Sequence, residues 1–110
     1  MADRNHLEED PAYCPYFHRT IELIGRRWTG AALLALSAGR TSYSEIRDAI
    51  PGISDRLLSE RLKELETEGI VTRKVSGRST TYQLTEQGSA LGPVLEAVAS
   101  YAEQWMAPTA

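Results

Sequence analysis

The sequence predicts a mainly helical fold with one small β-hairpin, and three features of its 110 residues indicate this. Apolar residues recur at helical spacing over much of the chain. The stretch "IVTRKV" is rich in β-branched residues and is followed, after "SGR", by the alternating stretch "STTYQLT", a pattern typical of two paired strands. Glycines and prolines separate these segments. The chain is long enough for one domain with one hydrophobic core.

Two stretches of different composition divide the chain. Residues 1–12 are polar and contain Pro11 near their end, so we predict a flexible N-terminal tail for them. Residues 13–110 carry the apolar periodicity, and we predict that they form the single folded domain.

The first two helices have recognisable ends. Pro15 suits the first position of a helix, which makes Cys14 its N-cap, and Gly25 ends it. A second helix is predicted over residues 28–37, with Gly39 as its C-cap.

A pair of helices joined by a tight turn follows. After a short extended piece at residues 41–43, Ser44 is expected to cap a short helix that ends at the Pro-Gly pair 51–52. Ser54 is expected to cap the next helix, which runs to about Glu68. Two helices separated by a tight turn and followed by a hairpin are the elements of a winged helix-turn-helix.

The last helix is expected to begin after Thr85, which can cap it, and to be interrupted near Gly92 and Pro93. Pro93 lacks the backbone N–H that an uninterrupted helix would need there. Beyond it an apolar stripe about five turns long repeats at intervals of three and four residues. The stripe contains Val94, Leu95, Val98, Tyr101, Ala102 and Trp105.

The helix after Ser54 has two chemically different faces when its residues are placed at about 100° intervals. The predicted core face carries Leu58, Leu62 and Leu65. The opposite face carries Arg56, Ser59 and Lys63, residue types that contact bases and phosphates in DNA. Arg61 falls on the apolar side, so we interpret it as a structural ion-pair or phosphate-facing residue rather than a base reader. The alternative for the polar face is an ordinary solvated helix surface.

The hairpin is basic although the whole chain has a formal net charge of −3. Residues 1–10 alone account for that charge, and residues 70–84 carry three cations and no acid. Such a hairpin can lie against phosphates, or it can simply be the solubilising edge of a sheet. Helix and hairpin together predict a DNA-binding domain within residues 13–110. Its candidate DNA-binding residues are Ser54, Asp55, Arg56, Ser59, Arg61, Lys63, Arg73, Lys74, Arg78 and Thr80.

Three long segments carry a resemblance to a known family: "CPYFHRTIELIGRRWTGAALLAL", "TSYSEIRDAIPGISDRLLSERLKELETEGIVTRK" and "TTYQLTEQGSALGPVLEAVASYAEQW". Over residues 14–105 the chain resembles the HxlR-type bacterial winged-helix transcriptional regulators, relatives of the MarR-type regulators. The resemblance implies a homodimer that binds inverted-repeat operators in double-stranded DNA and acts as a repressor. It implies that residues 54–68 form the recognition helix and residues 73–80 the wing, which is shorter than in many relatives.

The resemblance also implies that the first and last helices form the dimer interface. The apolar residues of those two helices are then the expected contacts between subunits. They are Phe17, Ile21, Val94, Val98, Tyr101 and Trp105.

Cys14 is the only cysteine of the chain, which excludes an intrachain disulfide and a cysteine-based metal cluster. The resemblance implies that it senses oxidants or electrophiles. Its predicted N-cap position supports this, because free N–H groups and the helix dipole stabilise the reactive thiolate. A disulfide between subunits could join only Cys14 to Cys14 of the partner subunit. The alternative is a small buried apolar residue without a redox role.

Other functions are less well supported by the sequence. There is no glycine-rich phosphate loop, and the pair Cys14 and His18, one helical turn apart, lacks a third orienting group. We therefore predict no enzymatic activity, no cofactor and no metal site. Two alternatives remain open: a winged helix that only binds proteins, and a regulator controlled by a small aromatic effector. The effector pocket would be lined by Tyr16, Phe17, Trp28, Tyr101 and Trp105.

The predicted location is the cytoplasm. No apolar run approaches the roughly 20 residues that span a bilayer, and the N-terminal stretch lacks the basic start and apolar core of a signal peptide. No membrane partner is expected.

Overall fold

The chain folds as a winged helix-turn-helix, which a computed structural model describes over residues 14–108. The elements are α1 (Pro15–Ile24), α2 (Thr29–Ser37), α3 (Tyr43–Asp48), α4 (Asp55–Thr67), β1 (Val71–Ser76), β2 (Ser79–Leu84), α5 (Glu86–Ser89) and α6 (Gly92–Tyr101), followed by a π-helical segment (Ala102–Met106). The predicted mainly helical fold with one hairpin is confirmed. The tail predicted for residues 1–12 lies outside the described residues.

Helix α1 begins and ends where its sequence predicts. Cys14 is the N-cap, and its Sγ accepts a hydrogen bond from the Phe17 backbone N–H at 3.4 Å. Gly25 is the C-cap. Helix α2 begins at Thr29, one residue later than predicted, because Trp28 has a left-handed backbone with φ of 77° and serves as the N-cap.

The start of α3 differs from the prediction. Ser42, not Ser44, is the N-cap, because its Oγ accepts from the Glu45 N–H at 3.1 Å while Glu45 Oε1 accepts from the Ser42 N–H at 3.1 Å. This reciprocal capping box satisfies two N–H groups that the helix cannot satisfy itself. The extended piece predicted at residues 41–43 is reduced to a single bridge between Ser42 and Thr81.

This capping box makes a pH-dependent contribution to stability. Hydrogen bonds from the backbone N–H groups of Ser42 and Thr41 hold the pKa of the Glu45 carboxyl below its ordinary value of 4.5. A pKa lowered by folding stabilises the fold above the unfolded pKa and loses that effect as the pH falls through the folded pKa. We therefore expect Glu45→Gln to unfold at a lower temperature than wild type at neutral pH, with the difference narrowing below pH 4.5.

Thermal unfolding followed by circular dichroism between neutral and acid pH measures this difference. Glu96→Gln is the control, because Glu96 is an exposed glutamate inside α6 and outside any cap. If the unfolding temperature of Glu45→Gln lies as far below that of wild type in acid as at neutral pH, the prediction is contradicted.

The hydrophobic core lies between α2, α3, α4 and one face of the hairpin. The predicted core face of α4 is confirmed, since Leu58, Leu62 and Leu65 are all buried. They pack in one cluster with Ile46 of α3 and Leu33 of α2. This packing directs the other face of α4 outward.

The register of the hairpin divides its cations between two faces. Strands β1 and β2 are antiparallel, and Arg73 lies opposite Tyr82 while Lys74 lies opposite Thr81. Directly opposed residues share a face, and successive residues alternate between faces. Tyr82 is buried, so Arg73 lies on the face that packs toward the core and α4, and Lys74 lies on the other face. Gly77, with φ of 60°, and Arg78 form the turn.

The C-terminal part is broken into short helices as predicted. Thr85 caps α5 by accepting a hydrogen bond from the Gly88 N–H at 3.0 Å, and α6 begins at Gly92 with Pro93 in its first turn. Of the predicted apolar stripe, Leu95 is buried in the core, whereas Val94, Val98, Tyr101 and Trp105 are exposed. No helix within residues 14–108 combines the length and apolar character that crossing a bilayer requires.

Candidate nucleic-acid interface

A groove of about 460 Å³ lies between α4 and the hairpin, and we call it the helix–wing groove. It is lined by Ser42, Tyr43, Ser44, Ser59, Arg73, Arg78, Ser79, Thr80 and Tyr82. A second hollow of about 340 Å³ shares Ser59, Arg73 and Tyr82 with it and adds Lys63 and Glu66 of α4. The fold thus brings together five predicted site residues: Ser59, Lys63, Arg73, Arg78 and Thr80.

Three cations of this surface have no acidic partner among the described residues. Within residues 14–108, Lys63, Arg73 and Arg78 form no ion pair. All three side chains are exposed, so their positive charge faces solvent beside the hydroxyl groups of the groove. Such a surface can neutralise phosphates without first breaking internal contacts.

The first turn of α4 presents one further cation. Ser54 is the N-cap, and its Oγ accepts from the Leu57 N–H at 3.1 Å, which confirms its predicted capping role. The Arg56 side chain is 88% exposed, and its Nε lies 4.0 Å from Glu60 Oε2. A contact this long and this exposed contributes little, so Arg56 is available for an external partner.

Tyr43 joins α3 to the first turn of α4, and it is not among the site residues predicted from the sequence. Its hydroxyl donates to the Asp55 carbonyl oxygen at 3.0 Å and lies 3.3 Å from both Asp55 Oδ1 and Ser59 Oγ. Arg47 also approaches Asp55 Oδ1, at 3.6 Å. Asp55, a predicted site residue, is therefore engaged by two groups of α3. The Ser-x-x-Glu capping motif beginning at Ser42 was the signal that could have placed Tyr43 at the start of a helix.

Arg61 and Lys74 are predicted DNA-binding residues that line neither hollow, as are Ser54, Asp55 and Arg56 at the start of α4. The Arg61 side chain is only 11% exposed; its Nε donates to the Arg27 carbonyl at 3.0 Å, and it pairs with Glu64 at 3.1 Å. This geometry agrees with the structural ion-pair interpretation and leaves no free guanidinium for DNA. Lys74 is exposed on the opposite face of the hairpin from Arg73.

Cys14 is buried, with 1% of its surface exposed, while its helix α1 contains no buried residue. Two ion pairs connect α1 and the loop after it to the C-terminal half of α4 and its C-cap. Arg19 pairs with Glu68 at 2.8 Å, and Arg26 pairs with Glu64 at 3.3 Å.

The six residues predicted for the dimer interface are all exposed, and so are Tyr16 and Met106. Trp28 differs from the other aromatic residues suggested for an effector pocket. It packs against the core, and the Arg27 guanidinium lies 5.1 Å from its ring centre. Among residues 14–108 there is no group of three or more His, Cys, Asp or Glu side chains placed to hold a metal ion.

Comparison with known proteins identifies the family. Residues 23–110 match the HxlR-like helix-turn-helix family. The uncharacterized HTH-type transcriptional regulator YvaP of Bacillus subtilis (strain 168) is 39% identical over 99 residues, which cover 87% of this chain and 92% of YvaP.

Solved structures of two regulators resemble this chain in both fold and sequence. The crystal structure of diamide-treated YodB from B. subtilis superposes with a TM-score of 0.70 and 39% identity, covering 86% of this chain and 97% of YodB. The redox regulator HypR in its oxidized form superposes with a TM-score of 0.74 and 32% identity, covering 80% of this chain and 94% of HypR. The resemblance found in the sequence is thereby confirmed, and the chain belongs to the HxlR-like helix-turn-helix family.

Proposed function

We propose that this chain is a DNA-binding transcriptional regulator that binds inverted-repeat operators as a homodimer and acts as a repressor. The observation that carries the proposal is the helix–wing groove, where unpaired cations from α4 and the hairpin meet exposed hydroxyl groups. In this arrangement α4 enters the major groove, Arg56 and Ser59 face base edges, and Arg73 and Arg78 follow the phosphates. The relatives are named as transcriptional regulators, and the proposed function needs no catalytic step.

Selection of duplexes from a random-sequence DNA library tests this function. Two recognition helices related by two-fold symmetry lie about one DNA turn apart, so we expect an inverted repeat with half-sites about 10–10.5 base pairs apart, centre to centre. Recovery of no consensus from the library would contradict the proposal. Because a regulator of this kind must reach chromosomal DNA, we also propose a cytoplasmic location.

The exposed apolar surface supports the homodimer. Helix α1 has ten residues, and only Leu23 and Ile24 at its C-terminal end pack, partly buried, against the core. Phe17 and Ile21 on α1, and Val98, Tyr101 and Trp105 further along the chain, are all exposed. A second copy that covers these faces would remove this apolar surface from water.

We further propose that Cys14 makes operator binding sensitive to oxidants and electrophiles. The support is its N-cap position and the Phe17 N–H that points at Sγ, together with the names of the diamide-treated and redox-regulator neighbours. Because Cys14 is buried, the start of α1 must open before a reagent reaches it. Modification would then displace α1, and the ion pairs to Glu68 and Glu64 would carry that displacement to α4.

Diamide or a quinone is expected to lower the operator affinity of wild type by roughly 5–150-fold, the usual range of allosteric coupling. Cys14→Ser should keep its affinity under the same treatment. Fluorescence anisotropy with a selected duplex measures both, and mass spectrometry confirms that Cys14 has reacted. If the two proteins lose affinity equally, or if fully modified wild type binds as before, Cys14 is not the sensor and a small aromatic effector becomes the alternative.

A further inference from the structure

The hydrogen bonds of Tyr43 determine which chemical groups Ser59 can offer to DNA. Tyr43 Oη lies within reach of three atoms: the Asp55 carbonyl oxygen at 3.0 Å, Asp55 Oδ1 at 3.3 Å and Ser59 Oγ at 3.3 Å. Ser59 itself is exposed and lines the helix–wing groove. The inference below rests on the proposed DNA-binding function and concerns how that surface distinguishes bases.

The phenol has one proton to share among these three neighbours. Both Asp55 oxygens can only accept a hydrogen bond, because one is a carbonyl and the other belongs to a carboxylate. If the proton pointed at Ser59, the lone pairs of Tyr43 Oη would face two acceptor oxygens of Asp55 at close range. The proton therefore lies toward Asp55, and Tyr43 Oη presents a lone pair to Ser59.

Ser59 then completes the arrangement as the donor. Its single O–H points at Tyr43 Oη, so the lone pairs of Oγ are left for a partner in the helix–wing groove. A free serine hydroxyl can donate or accept, but this one can only accept.

We infer that Tyr43 is a specificity-positioning residue, which fixes Ser59 as a hydrogen-bond acceptor for an exocyclic amino group in the DNA major groove. Adenine N6 and cytosine N4 are the amino groups presented there, whereas guanine and thymine present carbonyl oxygens at the equivalent edge. On the strand that Ser59 faces, the protein therefore selects adenine or cytosine over guanine or thymine. The geometry does not distinguish adenine from cytosine, so both meet the requirement.

Selections from a random duplex library with wild type, Tyr43→Phe and Ser59→Ala test this inference. Competition anisotropy then compares four duplexes that differ only in the base at one position. That position is the one at which the consensus selected by Ser59→Ala differs from the wild-type consensus. Wild type is expected to prefer adenine or cytosine there by about fivefold, near the lower end of the discrimination that a bidentate contact gives, because Ser59 accepts only one hydrogen bond. In Tyr43→Phe the Ser59 hydroxyl is released, so the preference at this position should fall below about twofold. Ser59→Thr retains a hydroxyl and should keep the wild-type preference.

The outcomes separate this inference from the proposed function. If Tyr43→Phe keeps the full wild-type preference, or has a wild-type circular dichroism spectrum but binds no duplex, Tyr43 does not set the polarity of Ser59. Wild type that shows no preference for adenine or cytosine at the Ser59 position also overturns the inference. If Tyr43→Phe fails to fold, Ser59→Thr becomes the test, and loss of the preference in that variant overturns the inference. Wild type that selects no consensus at all overturns the proposed function as well.

Discussion

Arg73→Ala is expected to weaken operator binding by about 1.5–3 kcal/mol, the contribution of a hydrogen bond to a charged group, whereas Lys74→Ala should have a much smaller effect. The two cations are neighbours in β1, but they lie on opposite faces of the hairpin. Arg73 lines the helix–wing groove and the second hollow along α4, so its removal should eliminate the proposed contact with DNA. Lys74 would act on DNA only at longer range, where salt screens its charge.

Fluorescence anisotropy at several salt concentrations compares these two variants under identical conditions. Each makes the same change from a cation to alanine at an exposed strand position, so Lys74→Ala controls for net charge. If Arg73 contacts a phosphate, its loss should also reduce the slope of log K against log salt by about one. Equal losses in both variants would show that the hairpin acts through its total charge and not through the groove.

Val98→Asp is expected to dissociate the homodimer and to abolish tight binding of the two-half-site operator. Val98 is 57% exposed on α6, in the surface that the second copy is proposed to cover. Two-fold symmetry places the substitution in the interface twice, and each copy would bury an unpaired carboxylate, which is strongly unfavourable. Light scattering at micromolar concentration should give 12.2 kDa for the variant and twice that mass for wild type.

Val75→Asp provides a matched control for this experiment. Val75 has the same exposed fraction, 57%, but lies in β1 near the hairpin turn. Light scattering of the Val75→Asp variant should therefore give the mass of a dimer, even if its DNA binding is reduced. Wild type that is monomeric and still binds a single half-site tightly would contradict the dimer proposal.

Much of the fold could be predicted because local sequence signals and tertiary packing agree. The leucine spacing in α4 placed its core face correctly. Cys14, Ser54 and Thr85 are N-caps where predicted. The hairpin followed from its alternation and its glycine turn. In each case a few neighbouring residues determine the outcome.

The error at the start of α3 arose where two local signals competed. Ser42 and Ser44 are both good N-cap residues, and only Ser42 has a glutamate three positions later to complete a capping box. Preferring Ser44 placed Tyr43 in an extended segment, which hid its contact with α4. The one-residue error at Trp28 has a different origin, because no local signal indicates a left-handed backbone at a tryptophan.

The candidate site could be predicted only in part, because it depends on contacts between distant segments. Alternation along β1 implies that Arg73 and Lys74 face opposite ways, but it does not say which face meets α4. That choice is made by Tyr82, which is buried opposite Arg73. Tyr43 and Ser59 are likewise 16 residues apart in sequence, and only the packing of α3 against α4 brings them together.

The most direct test of the central claim, that α4 and the hairpin form a sequence-specific DNA surface, is an anisotropy titration of wild type with two duplexes. One duplex carries the selected inverted repeat and the other has the same composition in scrambled order, each measured from about 50 to 200 mM salt. We expect the selected duplex to bind at least about 10³-fold more tightly, with both affinities falling linearly on a log–log plot against salt. Equal affinity for the two duplexes, or affinity that does not change with salt, would contradict the claim.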